Sequence, residues 1–357
     1  MNRKHNFGAG PGILPVEVLK EASEAVLEFN NLGMSLLEVS HRGKDFIAVM
    51  DEARQLVKDL FNLSADYEVM FLQGGASLQF LMVPYNLLAA NGTAAYINTG
   101  TWASKAIKEA KLLGNVNEIA SSKDKNFNYI PKNVNIPADA DYLHVTSNNT
   151  IFGTQYKSFP TANIPLVADM SSDIFSKKID ANKFSLIYAG AQKNMGPAGT
   201  TLVIVKKDLL GKSGRTIPSM LDYKIHIEND SMFNTPPVFA IYVSMLTLRW
   251  IKNNGGLEAM EKRNREKADI IYKELDENPL FNGTAAKEDR SDMNVTFLLK
   301  DNSLDEEFLN ITKGEGISGL KGHRSVGGFR ASIYNAMPLE SVKTLVEVMQ
   351  EFAMKHA

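Results

Sequence analysis

At 357 residues the chain is too long for one small domain and suits one large domain with a smaller companion. Thirty-nine Lys and Arg against 41 Asp and Glu leave a formal charge of −2, which offers no electrostatic pull toward nucleic acid or an anionic membrane surface. With no cysteine, disulfides, thiolate metal sites and cysteine nucleophiles are excluded, and the histidines lack the spacing of a metal site.

In chain order, the opening residues Met1-Asn2-Arg3-Lys4-His5-Asn6 have no apolar run behind them, so no secretory signal is expected and a soluble, cytoplasmic protein is. Val69–Leu72 reads as a short buried strand, Ser77–Ala90 as a helix and Ala94–Asn98 as a second strand. Gln79, Pro84 and Asn86 interrupt the Leu78–Ala90 stretch, which is also too short to cross a bilayer. Helical periodicity resumes at Ala103, with Ala106, Ile107, Ala110 and Leu113 on one face and Gly114 closing it. Tyr142–Thr146, Leu166–Ala168, Phe184–Ala189 and Thr201–Val205 read as further strands, most of them apolar enough to be buried on both faces. Strands alternating with helices predict a three-layer α/β domain with a mainly parallel sheet.

Beyond Asn253-Asn254-Gly255-Gly256 the pattern changes, and a domain boundary is placed near residue 255. Glu258–Leu275 is a charged amphipathic helix, and Val295–Leu299 and Gly328–Tyr334 alternate like strands with one solvated face. A last helix opens at Pro338 with Val342, Leu345, Val346, Met349 and Phe352 in one stripe. This part is expected to form a small α+β domain.

Five features could carry chemistry. Gln73-Gly74-Gly75-Ala76-Ser77 lies between a strand and a helix, where paired glycines allow close approach and the helix N-terminus favours an anion. Ser77 could cap the helix, offer a hydroxyl to a phosphate, or both, although the motif by itself favours a tight turn with no ligand. Asp169 ends an apolar strand at the edge where parallel sheets bind ligands. Lys193 lies in Ala189-Gly190-Ala191-Gln192-Lys193-Asn194-Met195-Gly196, among small residues between two apolar strands; burial there would lower its pKa and favour the neutral amine that attacks an aldehyde. Trp102, just before a helix, could stack on a flat heteroaromatic ligand or serve as a packing anchor. Cations recur at His41-Arg42 and His323-Arg324, with Arg330 sharing a strand face with Ser332 and Tyr334, a grouping suited to oxyanions.

Together, Asn6-Phe7-Gly8-Ala9-Gly10-Pro11-Gly12, Ser40-His41-Arg42, the lysine segment Gly190–Gly199 and Gly322-His323-Arg324-Ser325-Val326-Gly327-Gly328-Phe329-Arg330-Ala331-Ser332 resemble the phosphoserine aminotransferases. These are class-V enzymes of the aspartate-aminotransferase-like (fold type I) group, which depend on pyridoxal 5′-phosphate (PLP). The resemblance implies a PLP-binding domain over 16–255 and a small domain from 1–15 and 256–357. It implies that Lys193 carries PLP as a Schiff base and shuttles the proton between Cα and the cofactor C4′, that Asp169 pairs with the pyridine nitrogen, and that Trp102 stacks on the ring. Ala76, Ser77 and Gln192 would hold the cofactor phosphate and Thr150 would lie beside its phenolic oxygen, while Asn234 and Thr235 would reach the phosphate from the other subunit of a homodimer. Arg330 would bind the substrate α-carboxylate, and His41, Arg42, His323 and Arg324 the distal phosphate of phosphoserine or distal carboxylate of glutamate. The implied reaction is ping-pong: glutamate donates its amino group, and 3-phosphohydroxypyruvate receives it to give phosphoserine and 2-oxoglutarate, in serine biosynthesis, with vitamin B6 synthesis as a related role. Two departures stand out: Ala9 and Ser77 occupy positions where relatives carry serine and arginine, so at residue 9 only the backbone could contribute.

Overall fold

The computed structural model describes residues 3–356. Its centre is a seven-stranded sheet in the order Tyr67–Leu72, Thr201–Lys206, Leu186–Gly190, Leu166–Asp169, Tyr142–Thr146, Thr93–Asn98 and Asn115–Ser121. All neighbours run parallel except Thr201–Lys206, which is antiparallel to both strands beside it. The three central strands, Tyr142–Thr146, Leu166–Asp169 and Leu186–Gly190, are buried at every residue, as a run apolar on both sides requires.

The period-2 alternation of each strand divides its side chains between two cores. Ile187 and Ala189 join Leu143, Val145 and Ala168 against helices Lys44–Phe61 and Val238–Asn253. Leu186 and Tyr188 join Tyr142, Val167 and Val203 under helices Gly75–Leu87 and Thr101–Ala110. Helix Lys44–Phe61 turns one stripe inward through Phe46, Val49, Met50, Ala53, Leu56 and Val57, whereas Val238–Asn253 is buried on nearly all sides from Ala240 to Leu248. The result is the three-layer α/β architecture with a mainly parallel sheet that the pattern predicts.

A separate core lies in the C-terminal third. Helices Gly256–Glu277 and Leu339–Lys355 pack on an antiparallel sheet of Phe281–Gly283, Asn294–Leu299 and Phe329–Ser332. Phe7 and Ile13 belong to this core, and His5–Asn6 pairs with Ile317–Ser318. Val342, Leu345, Met349 and Phe352 are buried as the stripe predicts, with Val346 partly so. One strand goes unpredicted and one expectation changes. The edge strand Asn115–Ser121 is too polar to announce itself, since none of its residues is buried. The second face of the small sheet is not solvated: Thr296, Ser332 and Tyr334 are buried, and the face meets the segment after Tyr142–Thr146, with Thr296 donating to Phe152 O and Asn294 accepting from Asn148. No helix among the described residues is long and apolar enough to cross a membrane, and those residues hold no cluster of potential metal ligands.

Candidate active site

The parallel strands end in Asn98, Thr146 and Asp169 on one edge of the sheet, and the chain leaving each end helps to wall a cavity. Its lining combines Gly75, Ala76, Ser77 and Phe80 from one helix with Trp102 from the next. Thr146, Asn148 and Thr150 come from the strand ending at Thr146, Asp169, Ser171 and Ser172 from the one ending at Asp169, and Gln192 and Lys193 from the loop after Gly190.

Lys193 is half-buried, and its Nζ donates to Thr150 Oγ1 at 2.7 Å. Burial lowers its pKa from 10.5 to about 8; the Arg330 charge pushes the same way and Asp169 opposes both. Chain packing places the amine: Gly12 N–H donates to Gln192 O at 2.7 Å, and a Cβ on Gly12 would sit 2.6 Å from Lys193 O, so only glycine admits this approach. The neutral fraction of such an amine rises from roughly a tenth at pH 7 to roughly nine-tenths at pH 9. Capture of an aromatic aldehyde by the cofactor-free protein should therefore speed up about tenfold over that range and then level off. A rate flat from pH 7 to 9 would place the amine's titration elsewhere.

Asp169 is 4% exposed, and its Oδ1 accepts the Ser171 N–H at 2.9 Å; burial raises its pKa, so its ionised form calls for a cationic partner. Trp102 presents its indole to the cavity with Lys193 Nζ 5.6 Å from the ring centroid, and its Nε1 is buried without a partner among the described residues. Helix Gly75–Leu87 starts after Gly74, with φ of 86° and 64° at Gly74 and Gly75, where side-chain-bearing residues are strained. No side chain caps it, so Ser77, its third residue, is free to line the cavity together with the first-turn N–H groups.

Arg330 reaches the cavity wall from the small sheet, donating from Nη1 to Thr150 O at 3.3 Å, while its Nε is buried with no partner among the described residues. His323 lies close enough to Arg330 and Arg324 for both to depress its pKa, after the larger effect of burial. Its Nδ1 accepts the Ser325 N–H at 3.2 Å, so the neutral ring carries its proton on Nε2 and offers a donor there. Asn234 and Thr235 do not line the cavity; Gln73 Nε2 donates to Thr235 O at 2.7 Å beside the glycine turn. His41 and Arg42, in the turn before helix Lys44–Phe61, do not line it either, and nor do His323 and Arg324. Ala9 contributes its carbonyl, but to Tyr334 Oη at 2.7 Å.

Sequence reasoning missed Thr146, Asn148, Ser171 and Ser172. Their signal is position: each directly follows or ends a buried parallel strand. Asn148 is the most connected, donating to Ser172 Oγ at 2.8 Å and Asn294 Oδ1 at 2.7 Å. Asn294 in turn donates to Ser332 at 3.0 Å and Tyr334 at 3.2 Å. The cavity wall and the strand bearing Arg330 are thus joined by buried hydrogen bonds.

Residues 5–345 match the class-V aminotransferase family. The chain belongs to that family. It is 64% identical over 354 residues to the phosphoserine aminotransferase of Flavobacterium johnsoniae, covering 99% of each chain. Among solved structures, the phosphoserine aminotransferase of Bacillus circulans subsp. alkalophilus superposes with a TM-score of 0.97 at 47% identity, over 99% of each chain. A PLP-bound phosphoserine aminotransferase from Trichomonas vaginalis superposes with a TM-score of 0.92 at 39% identity, covering 98% of this chain and 100% of that one. The cavity fits PLP on its own chemistry: an amine titrating near 8, a buried carboxylate in need of a cation, an indole face, an uncapped helix N-terminus, and buried Trp102 Nε1 and Thr146 Oγ1 with no partner among the described residues.

Proposed function

We propose that the protein is a phosphoserine aminotransferase, moving the amino group of L-glutamate to 3-phosphohydroxypyruvate to give O-phospho-L-serine and 2-oxoglutarate. The observation that carries this is the meeting, in one cavity, of the Lys193 amine and the buried Asp169 carboxylate, in a chain 64% identical to a phosphoserine aminotransferase. When bound, PLP supplies an aldehyde that takes up amino groups and a ring that accepts the electron pair left at Cα. Lys193 Nζ, held by Thr150 Oγ1, anchors the cofactor and then takes and returns the proton at the substrate Cα. Asp169 accepts the proton-bearing ring nitrogen, which offsets the cost of its own burial. Trp102 offers its aromatic face, and Ala76, Ser77 and Gln192 hold the cofactor phosphate.

Arg330 binds the α-carboxylate common to both amino acids, and His323 Nε2–H and Arg324 receive the distal oxyanion. In this reading the protein is a homodimer: His41, Arg42, Asn234 and Thr235, which miss the cavity of their own chain, serve the cavity of a second copy. Residues 16–255 form the cofactor domain and 1–15 with 256–357 the small one, in a cytoplasmic enzyme of serine biosynthesis that extends to vitamin B6 synthesis.

The deciding test mixes the PLP-loaded protein with phosphoserine alone and follows its visible spectrum. Conversion to the pyridoxamine form by phosphoserine but not by free serine is the expected result. A spectrum that ignores phosphoserine and responds to another amino acid moves the substrate to a different transaminase, and no visible band after PLP addition removes the cofactor from the reading.

A further inference from the structure

Trp102 and Lys105 stand three residues apart in helix Thr101–Ala110, a spacing that stacks side chains on one face. The exposed Lys105 places its Nζ 4.6 Å from the Trp102 ring centroid, and Lys193 Nζ lies 5.6 Å from the same ring. The indole that lines the cavity therefore carries a second ammonium over its ring. Lys105 also lies near enough to His323 for its charge to depress that ring's pKa, alongside Arg330 and Arg324. None of Lys105, His323, Arg324 and Arg330 forms an ion pair with a carboxylate among the described residues, whereas Lys157, Lys178, Arg265 and Arg290 each do. Like charges gathered around His323 and beside the cavity-lining indole, and left without a carboxylate partner, suit an anion.

We propose that Lys105 is a further specificity-determining residue, whose ammonium over the Trp102 ring attracts the distal oxyanion of the substrate and favours a dianionic phosphate over a monoanionic carboxylate. This rests on the function proposed above. Near neutral pH a phosphate monoester carries close to two negative charges and a γ-carboxylate one. Coulomb energy is linear in ligand charge, so loss of one lysine charge weakens a dianion by about the square of the factor by which it weakens a monoanion in the same place.

The test compares the wild type, Lys105→Gln and Lys105→Arg as PLP-loaded protein at low salt, reading half-saturation by phosphoserine and by glutamate from the visible spectrum. Lys105→Gln should weaken phosphoserine about tenfold and glutamate about threefold, and Lys105→Arg should stay close to the wild type for both. In the cofactor-free protein, Lys105→Gln should also raise the pKa of His323 followed by NMR, because the lysine charge holds it down. Equal losses for the two amino acids, an undiminished response to phosphoserine, or an unmoved His323 each overturn the role of Lys105. A wild type that ignores phosphoserine altogether overturns the substrate reading instead, and the Lys105 role with it.

Discussion

Lys193→Ala is expected to slow amino transfer by a factor on the order of 10⁴ or more, because one substitution removes both the amine that anchors the cofactor and the proton carrier at Cα. The same position should show an opposite effect on stability. Its folded pKa of about 8 lies below the unfolded value of 10.5, so the ammonium is disfavoured in the folded chain. That penalty, on the order of 3 kcal/mol, is fully present below pH 8 and disappears as pH rises from 8 to 10.5. Lys193→Met, which keeps the aliphatic stem, should therefore leave the cofactor-free protein more stable at pH 7, less the lost Thr150 hydrogen bond. The gain should shrink as pH approaches 10.5. Denaturant titrations at pH 7 and pH 10 check this: a variant less stable than the wild type at pH 7 would make Lys193 a structural support rather than a residue held against its preference.

Arg330→Ala should weaken both phosphoserine and glutamate by roughly 30- to 1,000-fold, about 2–4 kcal/mol, since a partly buried guanidinium that binds a carboxylate through two hydrogen bonds is lost. Half-saturation values for each amino acid decide it, and a loss confined to phosphoserine would move Arg330 to the distal site. A second effect has a definite sign. Arg330 lowers the Lys193 pKa, so its removal should shift the midpoint of aldehyde capture above pH 8. A midpoint that stays put would mean that the two cations do not sense each other.

The buried parallel strands were legible because both faces are apolar, and Asp169 and Lys193 because each interrupts or follows such a run. The cavity's hydroxyls and amides were not. Thr146, Asn148, Ser171 and Ser172 read as ordinary polar residues until the sheet brings adjacent strand ends together. The alternation in Asn294–Leu299 and Phe329–Ser332 was read correctly as two-faced, yet period alone does not distinguish a face wetted by water from one bonded to another part of the chain. His41-Arg42 and His323-Arg324 look equivalent as dipeptides. The second pair also lies close to Arg330 in sequence, and Arg330 depresses the pKa of His323 in the folded chain.

The one reversed strand of the large sheet, Thr201–Lys206, governs how Lys193 is held. A parallel partner for Leu186–Gly190 would require a crossover back to the opposite edge, usually through a helix. Reversal lets the chain return in ten residues, 191–200, with Gly190 and Thr201 paired across the ladder at the base. The lysine thus rides on a short loop clamped at both ends by the middle of the sheet, whose opening requires fraying of buried strands. Amide hydrogens at Ala191, Met195 and Gly196, each bonded within this loop or across its base, should exchange with solvent on the slow timescale of global unfolding.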